Sequence, residues 1–452
     1  MKAVKFTTGI LLAAFMVLLR LDAAAQKTGD WEYLFNGKDM TGWKELNGKH
    51  KWEVRDGMIV GTTVPGQPNG FLCTERVFGD FILEYEAWID TLMNNSGVQF
   101  RSLSYPEYQN NRVHGYQVDF DPNPPQWSGS IYDEARRGWL YIMGLNPEAK
   151  NAMKNNQWNA FRLECIGTTI RTWVNGIPTA HLIDAETAKG FIGLQLHANN
   201  APGDAPGSQE VRFRNIRVQT NNPKASPLDN IFVVNLIPNN LSAQEKKNSY
   251  SLLWDGKTTR GWRAANKPRF PESGWEIMDG ALHVVSSAGT GVDIVTEKKY
   301  GAFELKFDFK FAAGGNGGIK YFVNESKNDT ASTAASLEYQ IVDNANAGIT
   351  PNRTLGSLAD IQEPQEISGG IKRTGEWNQG VIRVFPDNQV EYWLNGNKIS
   401  DYRRGSPEFK ELVSKSKYKD LPNFGMAAGG HILLEGRGGA VSYRSIKIKE
   451  LR

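Results

Sequence analysis

Three polar side chains alternate along one short segment of the chain, and their spacing indicates a surface where chemistry can take place. Gln117, Asp119 and Asp121 lie two positions apart, so in a β-strand they point to the same face. A row of polar groups is disfavoured in a hydrophobic core. This face therefore either contacts solvent or lines a site, where a carboxylate such as Asp119 can act as a general base.

A second segment, 129–138, concentrates charges of both signs. It contains Tyr132, Asp133, Glu134, Arg136 and Arg137. One interpretation is a solvated loop held by salt bridges, and the other is a catalytic group of base, acid and anion-stabilising cation. In the second interpretation Asp119, Glu134 and Arg136 take these roles, and the acid requires a pKa that is raised by burial or by a neighbouring carboxylate.

Four further side chains are predicted to join this site. Gln195 and His197 share one face of an apolar segment, and Arg101 follows Gln99 in the same strand phase. Trp127 lies in the loop after the first polar segment. Aromatic rings provide flat apolar platforms for sugar rings, while amides, carboxylates and arginines bind hydroxyl groups. The predicted ligand is therefore an oligosaccharide or another glycoside.

The acidic residues also allow a metal site. Asp119, Asp121, Asp133 and Glu134 carry hard oxygen ligands of the kind that Ca²⁺ prefers. The sequence contains no EF-hand spacing and no His-x-x-x-His pair. We predict that the protein works without a cofactor, and Ca²⁺ at these four carboxylates is the alternative.

The elements that must position these groups are β-strands. Apolar and polar residues alternate over 81–89 and 303–311, a pattern typical of strands with one buried face. Helices are predicted only over 147–155 and 407–416. Many short strands separated by Gly-rich turns predict an all-β fold of antiparallel sandwiches of jelly-roll type.

The chain repeats itself over the length of a domain. Segment 34–43 returns as 253–262, and segment 173–176, which ends in an Asn-Gly hairpin turn, returns as 393–396. The last predicted strand of each copy changes phase midway, which predicts a β-bulge at the same place in both. The predicted organisation is a signal peptide at 1–25, a first jelly-roll domain at 26–222, a docked linker at 223–247, and a second jelly-roll domain at 248–452.

The first residues have the features of a secretory signal peptide. Lys2 and Lys5 precede an apolar run at 10–19, and three alanines end at Ala25, after which we predict cleavage. The apolar run is shorter than the ~20 residues that a membrane-spanning helix needs. We therefore predict an exported protein without a membrane span, most simply a periplasmic one.

Composition excludes several other classes of protein. The 452 residues are 40% hydrophobic, which is enough for packed cores and excludes disorder as the main state. With 52 basic and 49 acidic residues the chain is nearly neutral, so neither nucleic acid nor an anionic membrane is a predicted partner. We expect Cys73 and Cys165 to be buried thiols, with a disulfide between them as the alternative. The oligomeric state stays open.

Several motifs taken together resemble one known family. The strings that carry the resemblance are 34–39 with 42–43, 95–101, 115–119, 132–137, 192–197 and 213–216. The chain resembles the 3-keto-disaccharide hydrolase family, which was formerly a domain of unknown function. The resemblance occurs in both copies, and together they cover almost the whole chain after the predicted signal peptide. The resemblance implies a concanavalin A-like jelly roll and substrates that are glycosides already oxidised at C3 of a glucose-type ring.

The resemblance also implies a mechanism of elimination followed by hydration. The C3 ketone acidifies the proton at C2, a base removes that proton, the substituent at C1 leaves, and water adds to the resulting enone. The roles that follow are a base (Asp119 or His197), an acid (Glu134), an oxyanion-stabilising cation (Arg101 or Arg136) and substrate-binding side chains (Gln117, Gln195, Trp127 and Tyr132).

The second copy departs from this pattern. Its Tyr-Gln pair puts Gln340 at the Gln117 position, and Val342 then stands where Asp119 would be. The candidate site residues of this copy are Glu338, Gln340 and Asp343. It either binds glycan, supports the first copy or reacts differently. For the whole chain, a non-catalytic carbohydrate-binding protein and an ordinary glycoside hydrolase with two carboxylates are the alternative functions.

Overall fold

A computed structural model gives the structure of the chain. It describes residues 27–28, 30–89, 95–121, 123–124, 126–198, 208–285, 291–325, 335–346, 348–367, 371–436 and 439–452. The predicted signal peptide at 1–25 lies outside the described residues. Within them, no helix is long and apolar enough to cross a membrane.

The first half is built from strands, as its alternating pattern predicts. Their bounds are β1 (Lys27–Thr28), β2 (Trp31–Tyr33), β3 (Trp43–Asn47), β4 (Lys51–Arg55), β5 (Met58–Thr62), β6 (Gly70–Thr74), β7 (Phe81–Ile89), β8 (Ser96–Leu103), β9 (His114–Phe120), β10 (Ile131–Glu134), β11 (Gly138–Tyr141), β12 (Asn159–Ile166), β13 (Thr169–Val174), β14 (Ile177–Ile183), β15 (Phe191–Leu196) and β16 (Glu210–Gln219). In β7 the core-facing and outward-facing side chains alternate in burial, which confirms a strand with one buried face.

The helix predicted over 147–155 is wrong for most of its length. Two 3₁₀ turns occupy Met143–Leu145 and Pro147–Ala149, and no regular helix continues beyond them. The side chain of Asn159 accepts a hydrogen bond from the backbone N–H of Lys154 and donates one to its carbonyl. These bonds compete with the helical pattern, so the helix is not extended.

Two antiparallel sheets pack face to face in the first half. The back sheet has the strand order β1-β2-β16-β7-β12-β13-β14, with β4 and β5 paired beside β16. The front sheet has the order β11-β10-β9-β8-β15-β6-β3. Leu83, Phe161 and Phe213 of the back sheet share one buried core with Tyr116 and Val118 of the front sheet. This sandwich is the predicted jelly roll.

The connector between the two halves is docked on the first domain, as predicted. Strand β17 (Val234–Asn235) extends the back sheet as a parallel neighbour of β14. The buried guanidinium of Arg171 donates hydrogen bonds to the backbone carbonyls of Ser226 and Pro227, and Tyr141 donates one to the carbonyl of Phe232. These bonds keep the connector from acting as a free tether.

The end of the connector is held by the second domain. Helix α1 (Ala243–Lys247) begins with a capping box, in which Ser242 and Glu245 bind each other's backbone N–H groups. The carboxylate of Glu245 also pairs with Lys447 of the second domain at 2.9 Å, and both side chains are buried. The backbone N–H of Asn239 donates to the hydroxyl of Ser445.

Replacing Lys447 with Met should strongly destabilise the packing of the connector on the second domain. The change leaves the buried carboxylate of Glu245 without the ammonium group 2.9 Å away, and breaking a buried ion pair in this way costs about 3–5 kcal/mol. The midpoint of urea unfolding measures the effect. The control is Lys415→Met, which removes an exposed pair with Glu411 and should cost less than about 1 kcal/mol. Equal midpoints for the two variants would contradict the prediction.

The second half repeats the sandwich. Its strands are β18 (Ser251–Leu252), β19 (Trp262–Ala264), β20 (Trp275–Met278), β21 (Ala281–Val284), β22 (Ile294–Thr296), β23 (Phe303–Phe311), β24 (Asn316–Val323), β25 (Leu337–Val342), β26 (Asn378–Val384), β27 (Gln389–Leu394), β28 (Asn397–Arg403), β29 (His431–Leu434) and β30 (Val441–Glu450). The back sheet has the order β20-β21-β30-β23-β26-β27-β28, with β18 beside β30, and the front sheet has the order β19-β22-β29-β24-β25.

Little of the second half is helical in its described part. A 3₁₀ turn spans Pro351–Arg353. Helix α2 (Pro407–Ser414) fills most of the predicted 407–416, and it begins where the side chain of Ser406 caps the backbone N–H of Phe409. The fold is therefore all-β in two tandem jelly-roll sandwiches, as the sequence predicts.

Two local predictions are confirmed in both halves. The Asn-Gly pairs at 175–176 and 395–396 have positive φ angles and close the β13–β14 and β27–β28 hairpins, as a tight type I′ turn requires. The register of the last strand shifts in β16 and in β30. Asn215 and Ser445 mark these bulges with φ angles of 53° and 52°.

Both cysteines of the chain are buried and free. Cys73 lies in β6 of the front sheet and Cys165 in β12 of the back sheet. Burial raises the pKa of the Cys165 thiol to about 12, so this side chain behaves as a small apolar core residue. The expectation of two buried thiols is confirmed.

Candidate active site

Most of the predicted site residues of the first domain gather on the outer side of its front sheet. The apolar residues of β9 enter the core, so Gln117 and Asp119 point outward. The register places Gln117 between Gln99 of β8 and Tyr132 of β10. We call this surface the first front face. Its polar members are Gln99, Gln117, Asp119, Tyr132, Glu134 and Gln195.

Asp119 is a buried carboxyl group, 2% exposed, that is held by amides. The side chain of Asn95 donates to both of its oxygens, at 2.9 and 3.1 Å, and Gln117 donates to Oδ1 at 3.0 Å. Burial raises the pKa of Asp119 to about 7, against the hydrogen bonds from Asn95 and Gln117, and nearby Asp121 and Glu134 add to the rise. A carboxyl group with a pKa near neutrality can both take and return a proton.

A chain of amides fixes the orientation of Asp119. Gln99 Nε2 donates to Gln117 Oε1 at 2.7 Å, and Gln117 in turn donates to Asp119. The chain depends on Gly97, which lies opposite Asp119 in the register. A Cβ atom at Gly97 would lie 2.5 Å from Cδ of Gln117, so any other residue there would push the amide away.

Glu134 in β10 is the second buried carboxyl group of the first front face. Burial raises the pKa of Glu134, and this rise is partly offset by Arg112 and His197. Arg112 Nη2 lies 3.5 Å from Glu134 Oε1. The side chain of Asn69 also contacts Glu134 and accepts a hydrogen bond from the backbone N–H of Ala198 at 2.8 Å. A buried carboxyl with a raised pKa can serve as a general acid.

His197 and Asp121 border the same group of charges. His197 Nδ1 lies 2.9 Å from the carbonyl oxygen of Ala198, so Nδ1 donates a hydrogen bond to it. Burial raises the pKa of Asp121, against hydrogen bonds from Asn123 and the nearby His197. The structure therefore places His197 near Asp121 and Glu134.

Three aromatic rings form a wall beside these carboxyl groups. Trp127 and Trp139 meet edge to face with ring centres 4.6 Å apart, and Tyr132 meets Trp139 at 5.0 Å. All three rings are partly exposed. Such a wall can hold the apolar face of a sugar ring beside Asp119 and Glu134.

Arg101 does not reach the first front face. Its φ angle is 44° and the register of β8 shifts there, so the alternation that would align it with Gln99 is broken. The guanidinium group instead donates to the carbonyls of Gly79 and Gly167 and to the carboxylate of Asp80. The structure contradicts a substrate-binding role for Arg101, which ties two loops together.

Arg136 also lies away from this face, because the chain turns after Glu134. Ala135 has a φ angle of 56°, and the turn folds Arg136 and Arg137 back onto the fully buried Asp133, at 2.8 and 2.5 Å. Arg136 therefore belongs to a loop that is held by salt bridges, as the first interpretation of this segment states. The second interpretation, in which Arg136 is the anion-stabilising cation, is wrong.

The four carboxylates considered for Ca²⁺ do not converge. Asp133 is engaged by two arginines on the core side of β10, whereas Asp119 and Glu134 face outward. In the part of the chain that the structure describes, no three potential metal ligands lie together. These four side chains therefore do not form one cluster of ligands in this structure.

Sequence reasoning missed several side chains that complete the site. They are Asn69, Asn95, Gln99, Arg112 and Trp139. Asn95 and Gln99 lie in the 95–101 string that carries the resemblance, so that string contained the signal. Arg112 lies in an irregular loop without a periodic pattern, and nothing in its neighbourhood singled it out.

Comparison with known proteins identifies the family. Residues 30–219 and 249–449 each match the family described as the 3-keto-alpha-glucoside-1,2-lyase-like domain. The chain belongs to this family. The two matches coincide with the two sandwiches, and the resemblance drawn from the motifs is confirmed.

The relatives of this chain include a protein of Bacteroides thetaiotaomicron that is named 3-keto-disaccharide hydrolase. It is 30% identical over 231 residues, which are 45% of this chain and 78% of that protein. A crystal structure from Parabacteroides distasonis, provisionally named a glycosyl hydrolase, is 30% identical, with a TM-score of 0.44, and covers 48% of this chain and 100% of its own. The carbohydrate binding module CBM66 from Bacillus subtilis is 16% identical, with a TM-score of 0.30, over 40% of this chain and 96% of its own.

The second lyase-like copy carries two of its three candidate residues on the corresponding surface. Glu338 and Gln340 lie on the outer side of its front sheet, next to Lys320 and Gly318 in the register. Asp343 does not belong to this surface, because its carboxylate accepts hydrogen bonds from the backbone N–H groups of Gly314 and Ala345, in two separate loops. These hydrogen bonds lower the pKa of Asp343, and they tie the two loops together.

The register corrects the alignment of the two copies. Asp119 exchanges backbone hydrogen bonds with the loop at 129–130, and Gln340 makes the same pair of bonds with the loop at 356–357. Gln340 therefore takes the position of Asp119, two residues away from the predicted match with Gln117. The Tyr-Gln string misled the alignment, because the two tyrosines stand in different register positions. The sequence also puts Arg437 of the second copy where the first copy has His197, but Arg437 lies outside the described residues.

Proposed function

We propose that the first domain cleaves the glycosidic bond of sugars that carry a ketone at C3. The observation that carries the proposal is the pair of buried carboxyl groups on the first front face: Asp119 with a pKa of about 7, and Glu134 with a raised pKa. Family membership and the name of the Bacteroides relative support the substrate class.

The proposed reaction begins with removal of the proton at C2 by the Asp119 carboxylate. Electrons move into the ketone, the enolate re-forms the carbonyl, and the C1–O bond breaks while Glu134 gives its proton to the departing oxygen. In the second stage, Glu134 takes a proton from water as the hydroxyl adds to C1. Asp119 then returns a proton to C2. The products are the free 3-keto sugar and the alcohol.

The remaining side chains would position the substrate. The Gln117 amide is already engaged with Asp119. Among the residues that the structure describes, the buried Oε1 of Gln195 has no hydrogen-bond partner, so we assign Gln195 to accept a bond from a sugar hydroxyl. With Arg101 and Arg136 elsewhere, Arg112 is the arginine beside the reacting groups. We also propose export to the periplasm, on the N-terminal pattern of two lysines, an apolar run and three alanines.

Incubation of the pure protein with 3-keto-lactose and with lactose tests the proposal. We expect turnover of the keto sugar only, because the parent sugar has no acidified C2 proton. In D₂O the released 3-keto-galactose should carry deuterium at C2, and 3-keto-galactose incubated without protein controls for spontaneous exchange. Hydrolysis of lactose itself without deuterium at C2 would instead favour a two-carboxylate glycosidase.

Replacing Arg112 with Leu should shift the limb of kcat/KM that reports Glu134 to higher pH. Arg112 lowers the raised pKa of Glu134, so its removal lets that pKa rise and keeps the acid protonated to higher pH. Because Arg112 is half-exposed, added salt should move the wild-type limb towards that of the variant. The control is Arg403→Leu, a similarly exposed arginine paired with Asp387. A limb that does not move, or that moves to lower pH, would contradict the role of Glu134.

A further inference from the structure

The second domain presents a front face built to the same register as the first. Lys320 pairs with Glu338 across β24 and β25, as Gln99 pairs with Gln117 across β8 and β9. The bulges agree as well, because Phe322 has a φ angle of 61° where Arg101 has 44°. Positions on the two faces can therefore be compared one by one.

The amides of the first face are replaced by a charged trio on the second. Lys320 stands at the Gln99 position, Glu338 at the Gln117 position, and Glu435 at the Gln195 position. Lys320 Nζ lies 2.6 Å from Glu435 Oε1 and 3.5 Å from Glu338 Oε2. These side chains are 11–22% exposed, so the trio is open to solvent at one side.

The second face lacks the group that would start the reaction. Gln340, at the Asp119 position, donates to the Asn316 side chain at 3.0 Å and to the Gly317 carbonyl at 2.9 Å. Asn316 takes the place of Asn95, so the contact is preserved while the carboxylate is lost. An amide cannot remove a proton from carbon under these conditions.

The second face keeps the features that bind a sugar. The trio offers donors and acceptors, and the half-buried ring of Tyr418, stacked on Phe424 at 4.2 Å, lies near enough to Glu338 for their charges to interact. Burial, with a contribution from Glu435, raises the pKa of Glu338 to about 8. Lys320 contacts both glutamates, so positive and negative groups stand side by side across the trio.

We propose that the front face of the second domain, formed by Lys320, Glu338, Glu435 and Tyr418, binds uncharged saccharides without cleaving them. An aromatic ring beside a balanced set of donors and acceptors fits hydroxyl groups and sugar C–H faces. A charged ligand would be attracted by one member of the trio and repelled by another, because Lys320 lies beside Glu338 and Glu435. The trio therefore favours an uncharged ligand. The choice of saccharides as ligand rests on the function proposed for the first domain.

Calorimetric titration of the full chain with lactose tests this proposal. Lactose has no ketone, so it should bind both front faces without reacting, with a stoichiometry of two per chain. The test variant combines Lys320→Met, Glu338→Leu and Glu435→Leu, which removes the trio as a unit and leaves no buried charge unpaired. We expect one lactose per chain. The control Glu411→Leu with Lys415→Met removes an exposed helical ion pair and should keep two.

Hydrogen exchange on the unaltered protein gives a measurement that does not depend on the folding of a variant. Lactose should slow exchange over 337–342 as well as over 114–120. Protection confined to 114–120, or a stoichiometry that is the same for the wild type and the triple variant, would overturn the proposal. Protection over 337–342 in a protein that does not turn over 3-keto-lactose would support it and refute the function proposed for the first domain.

Discussion

Replacing Asp119 with Asn is expected to lower kcat for 3-keto-lactose by about 10²–10⁴-fold, the range typical of losing a general base. The variant keeps the shape of the side chain, and its Oδ1 can still accept hydrogen bonds from Asn95 and Gln117. What it loses is the ability to accept the C2 proton. Steady-state kinetics measures the loss, and a variant within a factor of three of the wild type would show that Asp119 is not the base.

The pH profile should change in the same variant. Only the ionised form of Asp119 can remove a proton, and its pKa is about 7, so wild-type activity should rise as pH increases through 7. The variant has no group to ionise at that position, and its residual activity should lack this limb. A limb near pH 7 that survives in Asp119→Asn would show that a group other than Asp119 titrates there.

The free energy of unfolding should fall over the pH range in which ionisation of Asp119 raises activity. The folded-state pKa of Asp119 is raised from 3.8 to about 7, so the folded protein holds this proton more tightly than the unfolded chain does. The associated stability is present below pH 3.8, declines as pH rises towards 7, and is absent above 7. At pH 8 the Asn variant avoids burying a charge, and its Tm should equal or exceed that of the wild type.

Replacing Glu134 with Gln should lower activity by an amount that depends on the leaving group. With 3-keto-lactose the departing alcohol needs a proton, and we expect a loss of about 10²–10⁴-fold. With a 3-keto-glucoside of 4-nitrophenol the departing phenolate is stable without one, so the loss should be at least about tenfold smaller. The ratio of kcat/KM for the two substrates measures the effect.

Asp119→Asn is the matched control for the leaving-group experiment. Removal of the C2 proton is common to both substrates, so this variant should lose activity on both to a similar extent. If Glu134→Gln loses the same factor on both substrates, Glu134 does not protonate the leaving oxygen. Its burial beside Asn69 and Arg112 would then serve to orient the substrate.

The strand that carries the site could be predicted from sequence because its signal is periodic. Polar residues at 117 and 119 alternate with core residues, and only the β period places them together on the outer face. The sandwich, the duplication and the bulges followed from the same kind of pattern. His197 was singled out because it ends a recognisable string, and Trp127 because it lies in the loop after the first polar segment.

The arginines could not be placed by the same reasoning. Alternation predicts a common face for Gln99 and Arg101 only if the strand is regular. Arg101 itself has a positive φ angle, which directs its side chain away from that face and towards the loops that contain Gly79 and Gly167. Arg136 follows a tight turn, where period two does not apply. The cation near Glu134 is Arg112, brought there by a loop whose path depends on tertiary contacts.

The alignment of the two copies failed for a different reason. A shared Tyr-Gln pair is a match of letters, whereas equivalence in a sheet is defined by the hydrogen-bond partner across the strand. Those partners place Glu338 and Gln340 at the positions of Gln117 and Asp119. In the second copy the carboxylate of Asp119 is replaced by the amide of Gln340, and the amide of Gln117 is replaced by the carboxylate of Glu338.

The parallel strand of the connector bears on how the first copy could exist alone. Strand β17 comes from residues 234–235, well after the end of the first repeat, yet it covers the edge of β14. A protein cut at residue 222 would expose that edge, and uncovered edges invite pairing between molecules. The first sandwich therefore borrows part of its edge protection from residues beyond its own repeat, and a version cut at residue 222 should associate with itself more readily than the full chain.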